Sequence, residues 1–323
     1  MTKRTKIITI LAFIALSVIV ALQYEYILHN DISIESISKA NNPDFQATSY
    51  HHREPVYLVS YAAGHEVFYR NQNALVLSGL NKGIDFFLNY RRSHIDPDFY
   101  QKNKNILDKP RGAGYWIWKP YFILKTMENA PENAIIIYCD TGFVFHTSPK
   151  SLIDGAKSHD ITLVKYDPAD YGYVKKHASG ETLRQMDCTS QTCKDSEHIL
   201  AGFSVYRNTA RARQFVREWL NYCTVEDIIF GKQGGEPEDP AFRNHGDDET
   251  VLSVLHAKHS EWCNLITKDQ LYDLVYYHHR HPAYNNNTII YRMHKSIVYK
   301  QIRNIYRVTR VVCRAYFKEY FSN

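Results

Sequence analysis

From residue 55 onward, short apolar runs alternate with longer amphipathic stretches, which is the pattern of an α/β fold. Runs that are rich in β-branched and aromatic residues predict strands at 56–61, 83–88, 135–139, 161–164 and 200–206. Apolar residues at helical spacing predict helices at 66–80, 119–127, 148–156, 209–222 and 249–258. The alternation favours a mainly parallel sheet with helices packed against it.

The amino-terminal segment has a different pattern. Three basic residues within 1–6 precede the uncharged apolar run Ile7–Leu22. As a helix this run rises only roughly 24 Å, which is short of a bilayer core of about 30 Å, so a spanning helix must extend to Leu28. No Ala-x-Ala cleavage site follows, so we predict an uncleaved signal-anchor at 7–28 rather than a signal peptide. The positive-inside rule places residues 1–6 in the cytosol and the rest across the membrane.

The remaining boundaries follow from composition. Residues 29–54 are polar and read as a stem or linker. We predict one catalytic-type domain at 55–294, because the strands and helices are continuous there. The segment 295–323 is basic, with apolar residues at helical spacing, and predicts an amphipathic helix that packs on the domain or lies on a membrane.

Charge and cysteine content add two expectations. A net charge of +5 is too small to indicate nucleic-acid binding, and we expect no nucleic-acid partner. Tyrosine is frequent, at 25 of 323 residues. This suits a sugar-binding surface, but equally a core in which tyrosine rings are buried and their hydroxyls reach solvent. Cys188 and Cys193 share a polar loop; they would form a disulfide in an oxidising compartment, or remain two free thiols.

The candidate chemistry lies between residues 111 and 142. The apolar strand 135–139 ends in Asp140, and ligands of open α/β sheets bind at the carboxyl ends of strands. We therefore predict Asp140 at a ligand or metal site. Ahead of it, two tryptophans and two tyrosines surround Lys119, with glycines that permit close backbone approach. Aromatic rings and a cation beside a carboxylate suit a ligand with a phosphate and a ring.

These residues resemble a known family. The segment 111–121 reads RGAGYWIWKPY and resembles the "RG-x-GYW-x-WKPY" motif of a group of GT-A-like glycosyltransferase domains. The segment 208–223 resembles that group's later "NT…FV-x-EWL-x-YC" motif, and residues 245–249, HGDDE, resemble its "H-x-x-DQ" helix start. Glu249 replaces the usual Gln and adds a negative charge. The resemblance covers roughly residues 55 to 282.

The resemblance implies a GT-A-like, Rossmann-related fold with a mixed, mainly parallel sheet. It implies a membrane-anchored glycosyltransferase that moves a sugar from a nucleotide-sugar donor to a glycan or to a lipid- or protein-linked acceptor. With the signal-anchor, it implies a single-pass type II membrane protein. The catalytic domain would be lumenal and Golgi-type in a eukaryote, whereas the protein would lie at the inner membrane in a bacterium.

The resemblance also implies site residues. Asp248 and Asp140 would be catalytic, with Asp248 acting as the acceptor base or as a donor-sugar contact. From the sequence alone, Asp248 can equally be a helix N-cap. The implied substrate-binding residues are Arg111, Gly114, Tyr115, Trp116, Trp118, Lys119, Gly202, Asp247 and Arg280.

Two ways of holding the donor diphosphate stay open. GT-A enzymes usually hold a divalent metal on an Asp-x-Asp motif, and here the second Asp is missing, because Asp140 is followed by Thr141 and Gly142, as in the Asp-x-Gly of the resembled group. Asp140 could hold Mn²⁺ or Mg²⁺ with a distant ligand such as His278 or His279. Otherwise the enzyme would be metal-independent and would clamp the diphosphate with three cations, Lys119, Arg111 and Arg280.

Two other functions are compatible with the same residues. The chain could be a non-catalytic carbohydrate-binding or assembly protein on a degenerate transferase fold, since the second Asp and the usual Gln are both absent. A metal-dependent hydrolase that uses the late histidine cluster is a weaker alternative, because no tight motif such as H-E-x-x-H occurs.

Overall fold

The computed structural model describes residues 54–80 and 82–277, and its centre is a six-stranded sheet with the order β2-β1-β3-β6-β5-β7. These strands are β1 (Val56–Tyr61), β2 (Phe86–Tyr90), β3 (Ile135–Cys139), β5 (Ile161–Lys165), β6 (Ile199–Arg207) and β7 (Cys263–Thr267). Two short strands, β4 (Phe143–Phe145) and β8 (Val275–Tyr277), form a separate antiparallel ribbon.

Helices occupy most of the connections between the strands. They are α1 (Glu66–Gly79), α2 (Pro97–Lys102), α3 (Lys104–Leu107), α4 (Gly112–Tyr115), α5 (Trp118–Asn129), α6 (Lys150–Gly155), α7 (Val174–His177), α8 (Gly180–Gln185), α9 (Gln191–Lys194), α10 (Ala210–Cys223), α11 (Glu226–Ile229), α12 (Asp247–Lys258) and α13 (Lys268–Tyr272). The long helices at 66–79, 118–129, 210–223 and 247–258 confirm four of the sequence predictions.

The direction of the strands determines where a ligand can bind. All neighbouring strands of the large sheet run parallel, except that β6 is antiparallel to both β3 and β5. The carboxyl ends of β3, β5 and β7 therefore meet the amino end of β6 at one edge of the sheet. The prediction of a mixed, mainly parallel α/β sheet is confirmed.

The apolar run of β3 is explained by two hydrophobic cores. Ile136 and Tyr138 pack into a core with residues of α5, α10 and α12 on one face of the sheet. Ile135, Ile137 and Cys139 pack into a second core with residues of α1 and α6 on the other face. Because both faces of β3 are covered, every residue of the strand is buried, as is usual for a central strand of an α/β sheet.

The second strand differs from its predicted position. We predicted 83–88, whereas β2 begins at Phe86. Gly83 adopts a left-handed φ of 84°, and the Asp85 side chain accepts a hydrogen bond from the backbone of Val56 at 2.8 Å. Residues 83–85 thus form a turn that aligns β2 with β1 rather than the first part of the strand.

The polar segment 167–196 packs into the core that contains residues of α5, α10 and α12. Val174 of α7, Leu183 of α8 and Met186, which follows α8, are buried in that core. Cys188 and Cys193 form a disulfide with a Cα–Cα distance of 5.4 Å. This settles the choice that the sequence leaves open in favour of the bonded pair.

Several predictions lie outside the described residues. These are the signal-anchor at 7–28, nearly all of the stem at 29–54 and the amphipathic helix at 295–323. Among residues 54–80 and 82–277, no helix combines the length and apolarity needed to cross a membrane. The proposed domain boundaries therefore stay predictions.

Candidate functional site

A cleft with a volume of about 540 Å³ opens at the sheet edge where β3, β5 and β7 end, within the range of roughly 300–1,000 Å³ that is typical of small-molecule sites. Seven residues predicted for the site line this cleft: Arg111, Trp116, Lys119, Asp140, Gly202, Asp247 and Asp248. The lining also contains Glu249, the residue that replaces the usual Gln, and residues that the sequence did not single out, among them Phe143, Tyr166, Tyr171, Lys268 and Tyr272.

A buried cluster of three charged groups lies at the base of the cleft. Lys119 is in the first turn of α5, and its Nζ lies 2.9 Å from Asp248 Oδ2 and 3.9 Å from Asp140 Oδ1. The three side chains are all less than a tenth exposed, at 5%, 4% and 9%. One ammonium group is thus shared between the strand-end carboxylate and a carboxylate of α12.

The electrostatics of this cluster perturb both partners. Burial raises the pKa of Asp248 to about 8, while the Lys119 ammonium opposes the shift and the neighbouring carboxylates of Glu249 and Asp140 add to it. Burial by itself would lower the pKa of Lys119, but the carboxylates of Asp140 and Asp248 outweigh burial and raise it. Lys119 therefore stays charged, whereas Asp248 can exchange a proton near neutral pH, which is typical of functional sites.

Asp140 is held at the end of β3 by its neighbours. The Tyr138 hydroxyl donates to Asp140 Oδ1 at 2.5 Å, and the Asp140 backbone N–H donates to the Gly202 carbonyl at 2.8 Å. A Cβ at position 202 would lie 3.3 Å from both Asp140 Oδ2 and the Phe143 ring. A side chain at position 202 would therefore crowd the carboxylate, and glycine leaves room beside it.

The Asp140 carboxylate, with the space that Gly202 leaves beside it, is suited to bind a hard divalent cation as one of its ligands. Mg²⁺ commonly binds through one or two carboxylates, several waters and substrate phosphates, so a single protein ligand does not conflict with a metal. Within residues 54–80 and 82–277, no group of three or more His, Cys, Asp or Glu side chains is arranged to hold a metal. The predicted ligands His278 and His279, and the predicted substrate contact Arg280, lie outside those ranges.

Arg111 and Asp247 form a bidentate pair on another side of the cleft. Arg111 Nε lies 3.1 Å from each carboxylate oxygen of Asp247, and its Nη2 lies 2.7 Å from Oδ2. Asp247 is buried and has a left-handed φ of 54°. Burial raises the pKa of Asp247, and Arg111 opposes this shift. Non-glycine residues in this backbone region are uncommon and are enriched at functional sites.

The aromatic motif begins with a left-handed turn. All five residues of Gly112–Trp116 have positive φ, with values of 56°, 52°, 106°, 51° and 58° in chain order. A Cβ at Gly112 would lie 2.3 Å from the Trp116 ring, and a Cβ at Gly114 would lie 2.8 Å from Leu107 Cα. The turn therefore needs both glycines. It brings Trp116 to the wall of the cleft, with the Lys119 ammonium 5.9 Å from the ring centroid.

Three residues predicted to bind substrate lie outside the cleft lining. Trp118 is buried against Tyr61 with 4.1 Å between ring centroids, and its indole N–H donates to the Gly112 carbonyl at 2.9 Å. Tyr115 packs on Phe230 at a centroid distance of 4.6 Å. Gly114 is confined by Leu107, as described above. These residues shape the turn that positions Trp116, which corrects their predicted place against the substrate.

The start of α12 resolves the two interpretations of Asp248. The N-cap residue is Gly246, and the helix begins at Asp247, so the N-cap interpretation of Asp248 is wrong. Its carboxylate faces Lys119 instead. In the core that α10 shares with α12, Trp219 is fully buried, and its indole N–H donates to the Asp248 carbonyl at 3.1 Å. The core thereby fixes the backbone of the site.

Glu249 connects α12 to the other elements of the cleft. Its Oε2 accepts a hydrogen bond from the Ala201 backbone N–H at 3.0 Å. The hydroxyls of Tyr166 and Tyr171 each lie 3.5 Å from its carboxylate oxygens. The Glu249 side chain is 18% exposed, compared with 4% for Asp248. Of these two neighbouring carboxylates, Glu249 is therefore the one that a ligand reaches more easily.

Two of the lining residues that the sequence analysis missed directly follow strands. Tyr166 comes directly after β5, and Lys268 comes directly after β7, a strand that we did not predict. A usable signal was present, because Thr267 and Gln270 form a capping box around the start of α13. That signal, read with the apolar Leu265 and Ile266 ahead of it, would have indicated one more strand end at this edge.

Comparisons with known proteins give only distant likenesses. No family model matches the sequence, and no curated protein matches it. Mouse xyloside xylosyltransferase 1 is 10% identical, with a TM-score of 0.40 over 66% of this chain and 84% of that one. The WbbM bifunctional glycosyltransferase is 12% identical, with a TM-score of 0.40 over 68% of this chain and 39% of that one.

A third solved structure, the galactosyltransferase LgtC with donor and acceptor sugar analogues, is 11% identical, with a TM-score of 0.36 over 74% of this chain and 82% of that one. Likenesses at this level carry no conclusion about activity. We therefore infer function from the residues of the cleft.

Proposed function

We propose that this cleft transfers a sugar from a nucleotide-sugar donor to a hydroxyl group of an acceptor glycan or of a lipid- or protein-linked glycan. The observation that carries the proposal is the buried cluster in which Asp140, at the end of β3, shares Lys119 with Asp248. Trp116 and three tyrosines in the lining supply the aromatic surfaces on which sugar and base rings pack.

The charge balance of the cleft supports a divalent cation. The ionisable residues of the lining, histidine aside, are four acids and three bases, namely Asp140, Asp247, Asp248, Glu249, Arg111, Lys119 and Lys268. With Asp248 protonated, as its raised pKa of about 8 favours near neutral pH, three negative and three positive charges balance, and with Asp248 ionised one net negative charge remains. Arg111 and Lys119 are already paired with acids. In neither state does the lining offer a diphosphate excess positive charge, so we favour Mn²⁺ or Mg²⁺ over the cationic clamp.

The proposed roles follow from exposure and partners. Asp140 would hold the cation, which neutralises charge on the departing diphosphate when bound. Lys119 fixes Asp140 and Asp248 relative to each other, and Asp248 would accept hydrogen bonds from donor-sugar hydroxyls. We assign removal of the acceptor proton to Glu249 rather than to Asp248, because Glu249 is more exposed.

One observation favours the non-catalytic alternative. Two of the three basic groups in the lining are neutralised by acids, which weakens the case for a site that grips a diphosphate on its own. A carbohydrate-binding protein would need only the aromatic and polar walls. No observation on the described residues favours the hydrolase, because no three-residue metal group occurs among them.

The membrane and compartment assignments belong to the same proposal. We propose a type II protein whose domain faces the lumen in a eukaryote. The Cys188–Cys193 disulfide supports an oxidising compartment, because cytosolic proteins seldom keep structural disulfides. Alkylation of the protein from its native membrane, before and after reduction, tests this: two additional thiols after reduction are expected, and none would contradict it.

Donor binding by the full-length protein tests the proposed activity. We would measure thermal shifts with a panel of nucleotide sugars, with and without Mn²⁺, and then follow turnover of any donor that binds. Wild type would be compared with Asp140→Asn and with Asp154→Asn, an exposed surface control that lies outside the cleft. We expect one donor class to give a shift that needs Mn²⁺ and is lost in Asp140→Asn alone.

The other outcomes separate the alternatives. A donor shift that is indifferent to Mn²⁺ and to Asp140→Asn contradicts the metal role and restores the cationic clamp. Donor binding without hydrolysis or transfer contradicts catalysis and supports the binding protein. The absence of any donor shift contradicts the proposed function as a whole.

A further inference from the structure

Lys268 is a cleft cation whose charge the described structure does not neutralise. The lining contains three cationic side chains of lysine or arginine, and two of them, Arg111 and Lys119, form ion pairs at 2.7 and 2.9 Å. Among residues 54–80 and 82–277, no carboxylate lies within ion-pair distance of Lys268. A cation in a concave site without an internal partner is suited to an anionic group of a ligand.

The surroundings of Lys268 are aromatic. Its ammonium lies 5.3 Å from the ring centroid of Tyr166 and 5.6 Å from that of Tyr272. Tyr272 is 38% exposed and is one of the few large side chains with apolar surface that remain so open. Rings of this kind pack against the C–H face of a sugar. The cation and the exposed ring therefore match a sugar that carries an acidic substituent.

The position of Lys268 is fixed by the fold. It follows β7, and Tyr166 follows β5, the parallel neighbour whose Lys165 is in register with Thr267. The Thr267 side chain accepts from the Gln270 N–H at 3.2 Å, and Gln270 accepts from the Thr267 N–H at 2.8 Å. The backbone that carries the ammonium is thus held by the sheet and by a capping box.

Distance separates Lys268 from the proposed donor diphosphate. Asp140 follows β3, and the strand order places β7 three strands away from β3. At about 4.8 Å between neighbouring strands, this is a separation of about 14 Å. A cation bound by Asp140 and the diphosphate on it would lie at the other end of the cleft. Lys268 is therefore placed to meet the acceptor rather than the leaving group.

We propose that Lys268, with Tyr166 and Tyr272, forms a subsite for an acidic sugar of the acceptor, one that bears a carboxylate or a phosphate. The assignment to the acceptor rests on the proposed glycosyl transfer, because that function places the donor at Asp140. The existence of the subsite does not depend on that function.

Matched sugar pairs test the subsite in the full-length protein. We would measure the dissociation constants of 4-nitrophenyl β-glucuronide and 4-nitrophenyl β-glucoside, which differ in a carboxylate, and of glucose 6-phosphate and glucose. Wild type would be compared with Lys268→Gln, with the charge-retaining Lys268→Arg, and with Lys102→Gln, which removes an exposed lysine outside the cleft lining. The two pairs distinguish a carboxylate from a phosphate.

We expect wild type to bind the acidic member of at least one pair about tenfold or more tightly, since a hydrogen bond to a charged group is about that strong. Lys268→Gln should abolish this preference while leaving affinity for the neutral member unchanged. Lys268→Arg should retain part of it, and Lys102→Gln all of it. Equal binding within both pairs in wild type, or equal loss for both members in Lys268→Gln, would overturn the proposal.

Donor measurements on the same samples keep the two proposals separate. If nucleotide sugars bind but neither pair shows an acidic preference, glycosyl transfer stands and the acidic subsite fails. If no nucleotide sugar binds but the acidic preference depends on Lys268, the subsite stands and the transferase assignment fails. If Lys268→Gln instead weakens binding of a nucleoside diphosphate, Lys268 belongs to the donor, which also overturns the proposal.

Discussion

Removing the ammonium of Lys119 should destabilise the fold strongly. Lys119→Met keeps the length and apolar stem of the side chain but leaves Asp248 and Asp140 buried without a counter-charge, where the ammonium had been 2.9 and 3.9 Å away. At an effective dielectric constant of about 20, a charge pair near 4 Å is worth about 4 kcal/mol. Breaking a buried pair by removing one partner typically costs about 3–5 kcal/mol. We expect a loss of that size in the free energy of unfolding.

Urea unfolding followed by tryptophan fluorescence measures this loss. The chain provides a matched control in Lys232→Met: the Lys232 ammonium is also 2.9 Å from a carboxylate, that of Asp227, but the two side chains are 54% and 43% exposed. An exposed pair contributes about 0–1 kcal/mol, so the control should lose no more than that. Lys119→Met combined with Asp248→Asn should recover about 2 kcal/mol relative to the sum of the single variants.

The pH dependence of the loss has a definite sign. The pKa of Asp248 is already raised to about 8, and without the ammonium it must rise further. Well below pH 8, Asp248 is protonated in both proteins. The gap between wild type and Lys119→Met should therefore be smallest below about pH 7 and should widen as pH rises past about 8, where wild type ionises Asp248 and the variant resists it. A loss at pH 7 no larger than that of Lys232→Met, or strict additivity with Asp248→Asn, would refute the reasoning.

Three further expectations concern neighbouring features. The free energy of unfolding of wild type should fall as pH rises between about 4 and 8. In the folded state Asp248, whose pKa is about 8, keeps a proton that the unfolded chain releases. Asp248→Asn should flatten this profile in urea titrations, and parallel profiles of the two proteins would contradict the reasoning. Gly202→Ala places a Cβ 3.3 Å from Asp140 Oδ2 and should weaken Mn²⁺-dependent donor binding about tenfold or more, with an almost unchanged unfolding midpoint. If the variant binds the donor as tightly as wild type, the space beside Asp140 is not needed for binding. Replacing Cys188 and Cys193 together by Ser should cost about 2 kcal/mol, because the bond closes a short loop; dithiothreitol should lower the Tm of wild type and not that of the variant.

The sheet could largely be predicted from local pattern. Strands β1 and β3 match their predicted bounds because both are buried on two faces and read as continuous apolar runs. β7 was missed because all five of its residues are only partly buried or exposed, and its sequence, CNLIT, mixes polar and apolar residues. An edge strand of this kind is specified by its pairing with β5 rather than by its own composition.

The candidate site was predicted in part because strand ends can be located from sequence. Asp140 and Lys119 could be expected near each other, since one ends a strand and the other lies in an adjoining motif. The partner of Lys119 could not, because Asp248 is far along the chain and the choice between N-cap and site carboxylate depends on one backbone turn at Gly246. Likewise, nothing local distinguishes Trp116, in the cleft wall, from the buried Trp118 two residues later.

The left-handed turn of Gly112–Trp116 has a consequence for the order in which the chain folds. Three of its residues are not glycine, and each costs roughly 1–2 kcal/mol in that conformation. An isolated segment would not hold this conformation. The turn must therefore be stabilised by contacts that form before it, such as those with the Leu107 backbone and the Arg111–Asp247 pair. We therefore expect the sheet and its helices to assemble early and the cleft to be completed last. A chain arrested just short of the native state would have the architecture of this protein without its binding site.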